Sequence, residues 1–317
     1  MSPTEFILET DTLTKRFGNL TAVDGLSLHV KAGEIYGFLG PNGAGKTTTI
    51  RMLCGQLPPD SGQVIFNHKP VTNWDGNLRA SIGYASQEIA VWSSLTCYEQ
   101  LCFMASMYDM KTSERKQRAT ELMKALGLEE KRNSQAHNLS GGMQRRLHVA
   151  LAMVHRPQIL ILDEPESGLD PQSRAMVRDY IRTLTDQCTI ILTTHNMDEA
   201  ERLANQIAII DHGKLLRTGT PKELKDSIGQ GDTIEINLNG GKSQESEIKA
   251  VITSRLPDLS FQIQEGSLTV HALHAPDLLP DLLGALETCS IHPKEIHIRQ
   301  NTLEDVFLQL TGRRLRE

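Results

Sequence analysis

A glycine-rich segment near residue 40 has the residue types and spacing of a phosphate-binding loop. It reads Gly-Pro-Asn-Gly-Ala-Gly-Lys-Thr, which fits the pattern GxxxxGK[ST]. Glycines allow backbone N–H groups to converge on phosphate oxygens, and the positive end of a following helix strengthens that attraction. In this pattern the lysine, Lys46, reaches the β- and γ-phosphates, and the hydroxyl of Thr47 binds Mg²⁺. The segment predicts a nucleotide site made by Gly40, Pro41, Asn42, Gly43, Ala44, Gly45, Lys46, Thr47 and Thr48.

Two adjacent acids provide the second element of chemistry. Asp163 and Glu164 directly follow the apolar run of residues 159–162. Taken alone, they fit the end of an ordinary strand with two solvated carboxylates. With a phosphate loop upstream, Asp163 takes the position at which P-loop enzymes hold Mg²⁺, and Glu164 can polarise an attacking water.

The third element is a short glycine pair before a predicted helix. Ser140 is placed to cap that helix, and Gly141 and Gly142 leave its first N–H groups accessible. An open helix N-terminus favours an anion. Alone, the segment fits an ordinary turn equally well.

Strands and helices alternate along most of the chain, which predicts how these elements are positioned. Short apolar runs bounded by polar residues are typical of strands covered on both faces. Such runs occupy residues 159–162, 189–193 and 206–211, and helical patterns occupy residues 144–155, 174–184 and 197–204. The expected fold class is therefore α/β, a layered domain built around a parallel sheet.

A polar, glycine-containing stretch near residue 230 suggests a domain boundary. The chain has 317 residues, which exceeds one ordinary domain. We expect a first domain over residues 1–225, a linker over 226–231 and a second domain over 232–317. The second domain shows β-α-β-β-α-β order, an α+β unit, followed by a terminal helix.

Together these motifs resemble the ATP-binding subunit of ABC transporters. The order is the phosphate loop, Gln87, the Ser140 segment, the acidic strand end and His195. The resemblance covers about residues 6–224. It implies a P-loop cassette with a mixed-sheet core and a helical subdomain over about residues 88–140. It implies a Mg²⁺-dependent ATPase in which Gln87 contacts Mg²⁺ and the attacking water, and His195 contacts the γ-phosphate.

The resemblance assigns four further residues. Ser140 and Gly142 are similar to the signature residues that bind the γ-phosphate held by the opposite subunit, and Asp170 is similar to the D-loop aspartate. Phe17 is similar to the aromatic that stacks on adenine, although a lone phenylalanine at this point also fits a core position. A complete site then needs a second copy, so the resemblance implies a head-to-tail homodimer with ATP at the interface.

Three residues depart from the usual family pattern. Met143 replaces a glutamine of the signature, which leaves the contacts of Ser140 and the glycines unaffected. Ser86 replaces a common proline and makes that loop less stiff. Glu166 replaces a small residue, and it either raises the pKa of a neighbouring acid or faces solvent.

The C-terminal residues 303–308, Leu-Glu-Asp-Val-Phe-Leu, and the Thr-Thr-Thr of the phosphate loop resemble drug-export ATPases of the daunorubicin-resistance type. Such subunits pair with separately encoded ABC-2 permeases at the cytoplasmic face of the membrane. The tail also fits an amphipathic helix that closes the small domain, or a dimer contact. A soluble ABC ATPase acting on nucleic acid, or a ligand-sensing regulator, is the alternative function.

Composition restricts the partners. The formal net charge is −6 and aromatic residues make up 4%, which argues against a nucleic-acid partner.

No apolar stretch reaches the roughly 20 residues of a membrane span, and the first residues lack a signal pattern, so we expect a cytoplasmic chain. Five cysteines without a CxxC pair favour incidental thiols over a metal or redox site.

Overall fold

The chain divides into two compact units between Pro221 and Lys222. The computed structural model describes residues 6–228, 232–238, 245–256, 259–264, 267–272, 275–289, 291, 293 and 295–312. Residues 1–5, 229–231 of the expected linker and 313–317 of the tail lie outside the described residues. The expected end of the first domain, residue 225, falls inside a helix that begins at Pro221.

The elements of the first unit alternate between strands and helices. In chain order they are β1 (Phe6–Phe17), β2 (Leu20–Lys31), β3 (Ile35–Leu39), α1 (Lys46–Leu53), β4 (Ser61–Phe66), β5 (Lys69–Pro70), α2 (Gly76–Ala80), β6 (Ile82–Ala85), α3 (Cys97–Met107), α4 (Thr112–Ala125), α5 (Gly141–Met153), β7 (Ile159–Asp163), α6 (Pro171–Arg182), β8 (Thr189–Thr194), α7 (Met197–Leu203), β9 (Gln206–Asp211) and β10 (Lys214–Gly219). Helix α8 (Pro221–Asp226) begins at the boundary.

A six-stranded sheet in the order β10-β9-β3-β8-β7-β6 forms the centre of this unit. All its pairs are parallel except β9 with β10. Strands β3, β7 and β8 are buried along their whole length, because apolar side chains cover both faces of the sheet. The mixed α/β core agrees with the sequence expectation.

Two apolar layers cover the central sheet. On one side, side chains of the antiparallel sheet β2-β1-β4-β5 and of α1 pack together with alternate residues of β3, β7 and β8. On the other side lie α5, α6 and the helical layer of α3 and α4. The helix pair α3–α4 lies within the range expected for a helical subdomain, and a capping box of Thr96 and Glu99 fixes the start of α3.

Parallel strands place their carboxyl ends at one edge of the sheet. Leu39 at the end of β3 lies opposite Thr194 of β8, and Asp163 at the end of β7 lies opposite Thr193. The phosphate loop, the two acids and His195 lie at or directly after these three ends. The sheet register therefore brings together segments separated by more than a hundred residues.

The second unit has the predicted β-α-β-β-α-β order. Its elements are β11 (Asp232–Asn237), α9 (Glu245–Arg255), β12 (Ser260–Gln264), β13 (Ser267–Ala272), α10 (Ala275–Thr288), β14 (Glu295–Arg299) and the terminal helix α11 (Leu303–Thr311). The strands pair antiparallel in the order β12-β13-β11-β14. In β11, Ile234 and Ile236 are buried while Glu235 is exposed, so one face of this sheet carries the core.

The terminal helix α11 is amphipathic and its apolar side is covered. Leu303, Val306 and Phe307 are buried within the single chain, whereas Leu308 is partly exposed. Thr302 and Asp305 form a capping box at its start. These apolar side chains are covered without a second copy of the chain, so their burial does not require a dimer contact.

Candidate nucleotide site

The phosphate loop lies between β3 and α1, as its sequence requires. Gly45 has φ +99°, and a Cβ there would lie 2.4 Å from the carbonyl oxygen of Ala22, so only glycine fits. The Nζ of Lys46 donates to the carbonyl oxygens of Gly40 and Pro41, at 2.6 and 3.1 Å. Burial lowers the pKa of Lys46, and the charges of Glu164 and Asp163 oppose that shift. The ammonium of Lys46 therefore lies within the phosphate loop, where it is expected to contribute to phosphate binding.

Thr47 and Asp163 lie side by side. The hydroxyl of Thr47 donates to Oδ2 of Asp163 at 3.1 Å. The other carboxylate oxygen, Oδ1, accepts a hydrogen bond of 2.5 Å from the hydroxyl of Thr193. A hydroxyl and a carboxylate are oxygen ligands of the kind that Mg²⁺ takes beside phosphate oxygens. The donor set thus fits a hard divalent cation.

Glu164 is the meeting point of the predicted catalytic side chains. Its Oε1 lies 2.9 Å from Nδ1 of His195, and its Oε2 accepts from Nε2 of Gln87 at 3.2 Å. The carboxylate is mostly buried, and the imidazole is more exposed. Three residues that are distant in the sequence are therefore within hydrogen-bond distance.

The backbone of Glu164 has an unusual conformation. Its φ is +50°, in the left-handed region, which costs about 1–3 kcal/mol for a residue with a side chain. Its N–H donates to both the carbonyl oxygen and the hydroxyl of Thr193, at 3.2 and 3.0 Å. Such strain persists only where surrounding contacts hold it, and it is common at functional sites.

Phe17 lines a cavity of about 480 Å³ next to the phosphate loop. Its ring is 50% exposed, and the Nζ of Lys15 lies 5.9 Å from the ring centre. Gln87 and Glu164 line the same cavity. The half-exposed ring excludes the core position that the sequence left open for Phe17.

Ser140, Gly141, Gly142 and Asp170 form a separate cluster. The side chain of Ser140 caps α5 by accepting from the N–H of Met143 at 3.3 Å, and Asp170 caps α6 by accepting from the N–H of Ser173 at 2.9 Å. A Cβ at Gly142 would lie 2.5 Å from the hydroxyl of Ser173. Among the described residues, these four are absent from the lining of the phosphate-loop cavity. The structure thus brings the predicted site residues together in two groups, not one.

Glu166 does not face solvent. It is 6% exposed, and its two carboxylate oxygens each accept a 3.0 Å hydrogen bond from Arg178. Its charge contributes to the raised pKa of Glu199, which burial chiefly raises to about 8. Of the two roles that the sequence left open for Glu166, the solvent-facing one is wrong.

Sequence reasoning missed two residues of the site. Thr193 hydrogen-bonds Asp163 and Glu164, and its only signal in the sequence is a threonine that follows the apolar middle of a strand. Arg145, two residues after Met143, is fully buried and donates to the backbone carbonyls of Gln87 and Glu164. A charged residue on a helix gives no sign in the sequence that it points into the core.

Comparison with known proteins identifies the family. Residues 23–167 match the family model described as ABC transporter. The chain is 36% identical to the linearmycin resistance ATP-binding protein LnrL of Bacillus subtilis, across 98% of this chain and 100% of that protein. The chain belongs to the ABC transporter ATP-binding family. As a member of that family it is an ATP-binding and ATP-hydrolysing subunit.

Other relatives resemble this ABC subunit over nearly their whole length. The daunorubicin/doxorubicin resistance ATP-binding protein DrrA of Streptomyces peucetius is 38% identical across 96% of this chain and 92% of that protein. The Nod factor export ATP-binding protein I of Ralstonia nicotianae is 35% identical across 98% and 95%. These names are those of resistance and export proteins, which favours a transporter over the alternative of a soluble ABC ATPase acting on nucleic acid.

Solved structures confirm the cassette fold. CbiO1 from Clostridium perfringens, part of the ABC transporter complex CbiONQ, has a TM-score of 0.65 and 27% identity, covering 80% of this chain and 96% of that one. The ATP-binding cassette MJ0796, a dimer in a post-hydrolysis state with ADP and Pi, has a TM-score of 0.62 and 26% identity, covering 67% and 98%. Among the residues described for this ABC subunit, no helix is long and apolar enough to cross a membrane.

Proposed function

We propose that this ABC subunit hydrolyses ATP to drive a separately encoded ABC-2 permease that exports a drug-like, lipid or other compound. The main support for the proposal is that the sequence similarity to the relatives extends over nearly the whole chain. Relatives named for antibiotic resistance and for Nod factor export match this chain across 96–98% of its residues, including the second unit. The solved cassettes match a shorter part of the chain, 80% for CbiO1 and 67% for MJ0796.

The geometry supports a catalytic role for Glu164. Its buried carboxylate, held between Gln87 and His195, is placed to accept a proton from a water that attacks the γ-phosphate. Lys46 would hold the β- and γ-phosphates, and the other loop residues would surround them with N–H groups. His195 would stabilise the γ-phosphate and keep the carboxylate oriented.

Mg²⁺ fits the oxygen ligands at the end of β7. Thr47 and Asp163 would hold it, with Gln87 close by. When bound, the ion would neutralise charge on the phosphate oxygens. Thr193 would keep one oxygen of Asp163 oriented, which leaves the other oxygen and the hydroxyl of Thr47 for the ion.

A second copy of the chain would complete the site. The Ser140 cluster presents an open helix start away from the phosphate-loop cavity, and an anion at that position would interact with the helix dipole. In a head-to-tail dimer, this helix start and Asp170 would reach the ATP that the partner binds. The solved cassette dimer with ADP and Pi has the same fold, which supports this arrangement.

A groove beside Gln87 is our proposed docking surface for the permease. Its volume is about 910 Å³, and Gln87, Trp92 and Met104 are among the side chains that line it. Trp92 stacks edge-on against Phe103, with both rings partly exposed, and exposed Ile89 and Met107 lie on neighbouring segments. Exposed apolar patches of this kind mark protein contacts. Docking there would hold the subunit at the cytoplasmic face of the membrane.

The proposed ATPase is tested with Glu164→Gln. This variant should bind ATP with normal affinity by calorimetry and lose about 10²–10⁴-fold in hydrolysis. It should also form an ATP-dependent dimer by size-exclusion chromatography, because it reaches the ADP state only slowly. A variant that hydrolyses ATP at a near-normal rate contradicts the assignment.

The docking surface is tested by membrane fractionation in cells that carry the permease. Replacing both Trp92 and Phe103 by Asp should release the protein from membranes, whereas Leu216→Asp, at another exposed apolar position, should not. Equal release by both changes, or by neither, argues against docking at the groove.

A further inference from the structure

Arg145 makes an unusual set of contacts for a residue of the signature helix. It lies on α5 and is 2% exposed. Its guanidinium donates to five backbone carbonyls at 2.5 to 3.3 Å: Ser86, Gln87, Asp163, Glu164 and Pro165. A guanidinium has five N–H donors, so every donor has an acceptor.

The five acceptors belong to only two segments. Ser86 and Gln87 form the loop that follows β6, and residues 163–165 form the end of β7 and the turn after it. The Nη1 group serves the first segment, while Nη2 and Nε serve the second. A single planar group therefore fixes the distance between two backbone segments, in addition to the side-chain bond between Gln87 and Glu164.

Filling the core does not explain this arginine. Burial lowers its pKa, the charges of Asp163 and Glu164 oppose that shift, and its hydrogen-bond partners are neutral carbonyls. An apolar side chain of the same length would fill the space without burying a charge, but it would leave the five carbonyls without these donors. What the arginine adds is geometry, since its fork places donors in fixed directions.

We propose that Arg145 is a positioning residue that clamps the Gln87 loop to the end of β7. It holds the carbonyl of Glu164, whose N–H is held by Thr193, and so maintains the left-handed backbone at that residue. It thereby sets the 3.2 Å contact between Gln87 and Glu164. The inference rests on the proposed roles of Glu164 and Gln87.

The adjacent Arg146 provides a matched control. It is also buried on α5, but its Nη1 donates to the carbonyl oxygen of Leu126 at 2.8 Å and lies 3.3 Å from the sulfur of Met176. Those partners lie away from the catalytic segments. The two arginines lie on the same helix and are both buried, and they differ in the groups to which their guanidinium groups donate hydrogen bonds.

The experiment compares Arg145→Lys with Arg146→Lys. A lysine keeps the charge but cannot bridge both segments with a fixed fork. Arg145→Lys should lower kcat about 10²-fold, because a shift of about 1 Å at a reacting group has that effect. Its KM for ATP and its nucleotide affinity should change less than about threefold, and Arg146→Lys should keep kcat within about threefold.

A double variant separates positioning from general structure. If Arg145 acts through Glu164, Arg145→Lys should add little further loss, less than about threefold, in a Glu164→Gln background under single-turnover conditions. Additive losses, or normal kcat in folded Arg145→Lys, overturn the inference. If Glu164→Gln itself keeps normal kcat, the proposed function fails instead, so the two failures are distinguishable.

Discussion

Thr193→Val removes one hydroxyl that serves both acids of the site. Thr193 is fully buried, and its hydroxyl donates to Oδ1 of Asp163 at 2.5 Å and accepts from the N–H of Glu164 at 3.0 Å. Valine has nearly the same shape, so no cavity forms. The N–H of Glu164 keeps the carbonyl oxygen of Thr193 as acceptor at 3.2 Å. The main loss is therefore the bond to the carboxylate, worth about 1.5–3 kcal/mol.

The matched control is Thr189→Val on the same strand. Thr189 is equally buried, but its hydroxyl accepts from the N–H of Gly33 at 3.0 Å. That N–H is neutral and belongs to an exposed residue, so water can take the place of the hydroxyl as its acceptor. Its loss should cost about 0.5–1.5 kcal/mol. We also expect Thr193→Val to lower kcat at least about tenfold, because Asp163 loses a fixed orientation, whereas Thr189→Val leaves kcat unchanged.

Tryptophan fluorescence during urea unfolding measures both variants. The chain has two tryptophans, Trp74 and Trp92, and both lie in the first unit, so the signal reports on the cassette alone. The difference in unfolding free energy follows from the shift in midpoint at equal slope. Equal destabilisation by the two variants, with equal kcat, would refute the argument that the hydrogen bond from Thr193 to the carboxylate of Asp163 contributes more than the hydrogen bond of Thr189.

Three further predictions concern side chains around the site. Lys46→Ala should weaken ATP binding about 10- to 150-fold, as expected for one lost charge-assisted contact of about 1.5–3 kcal/mol; unchanged affinity by calorimetry contradicts the phosphate role. Glu166→Gln leaves Arg178 with one acceptor in place of two and should lower the unfolding free energy by about 1.5–3 kcal/mol in urea titrations; a loss below about 0.5 kcal/mol would show that the pair is not stabilising. The raised pKa of Glu199, about 8 in the folded chain against 4.5 ordinarily, means that the folded chain keeps a proton that the unfolded chain releases. Stability from this group is therefore complete below pH 4.5 and lost as pH rises towards 8. Glu199→Gln should flatten the fall in unfolding free energy between about pH 6 and 8, and an unchanged slope would count against a protonated Glu199.

Much of the nucleotide chemistry was readable from local patterns. The phosphate loop, the apolar strand before Asp163 and the Ser140 cap are contiguous in the sequence, and each needs particular residue types for a local reason. Glycine at position 45 is required by a positive φ and a close carbonyl. The alternation of apolar runs and helical patterns likewise predicted the α/β class and the order of elements in the second unit.

Edge strands and short elements were missed for a physical reason. Strand β6 has only four residues, and β10 is mostly exposed, so neither has a strong apolar pattern. Their pairing is decided by the neighbouring strands of the sheet. The antiparallel sheet formed by β1, β2, β4 and β5 is likewise decided by pairing between strands that are distant in the sequence.

The sequence by itself determined which groups are available: a lysine and glycines for phosphate, a hydroxyl and a carboxylate for a cation, and a carboxylate for water. Only the tertiary structure decided their relations. The parallel register of β7 and β8 places Glu164 beside His195. The position of Arg145 on α5 brings its guanidinium into contact with the Gln87 loop and the end of β7. The same fold buries Glu166 against Arg178 and keeps Ser140 apart from the phosphate loop. The physical reason is that residue types are local properties, whereas distance, burial and charge pairing arise from contacts between segments far apart in the chain.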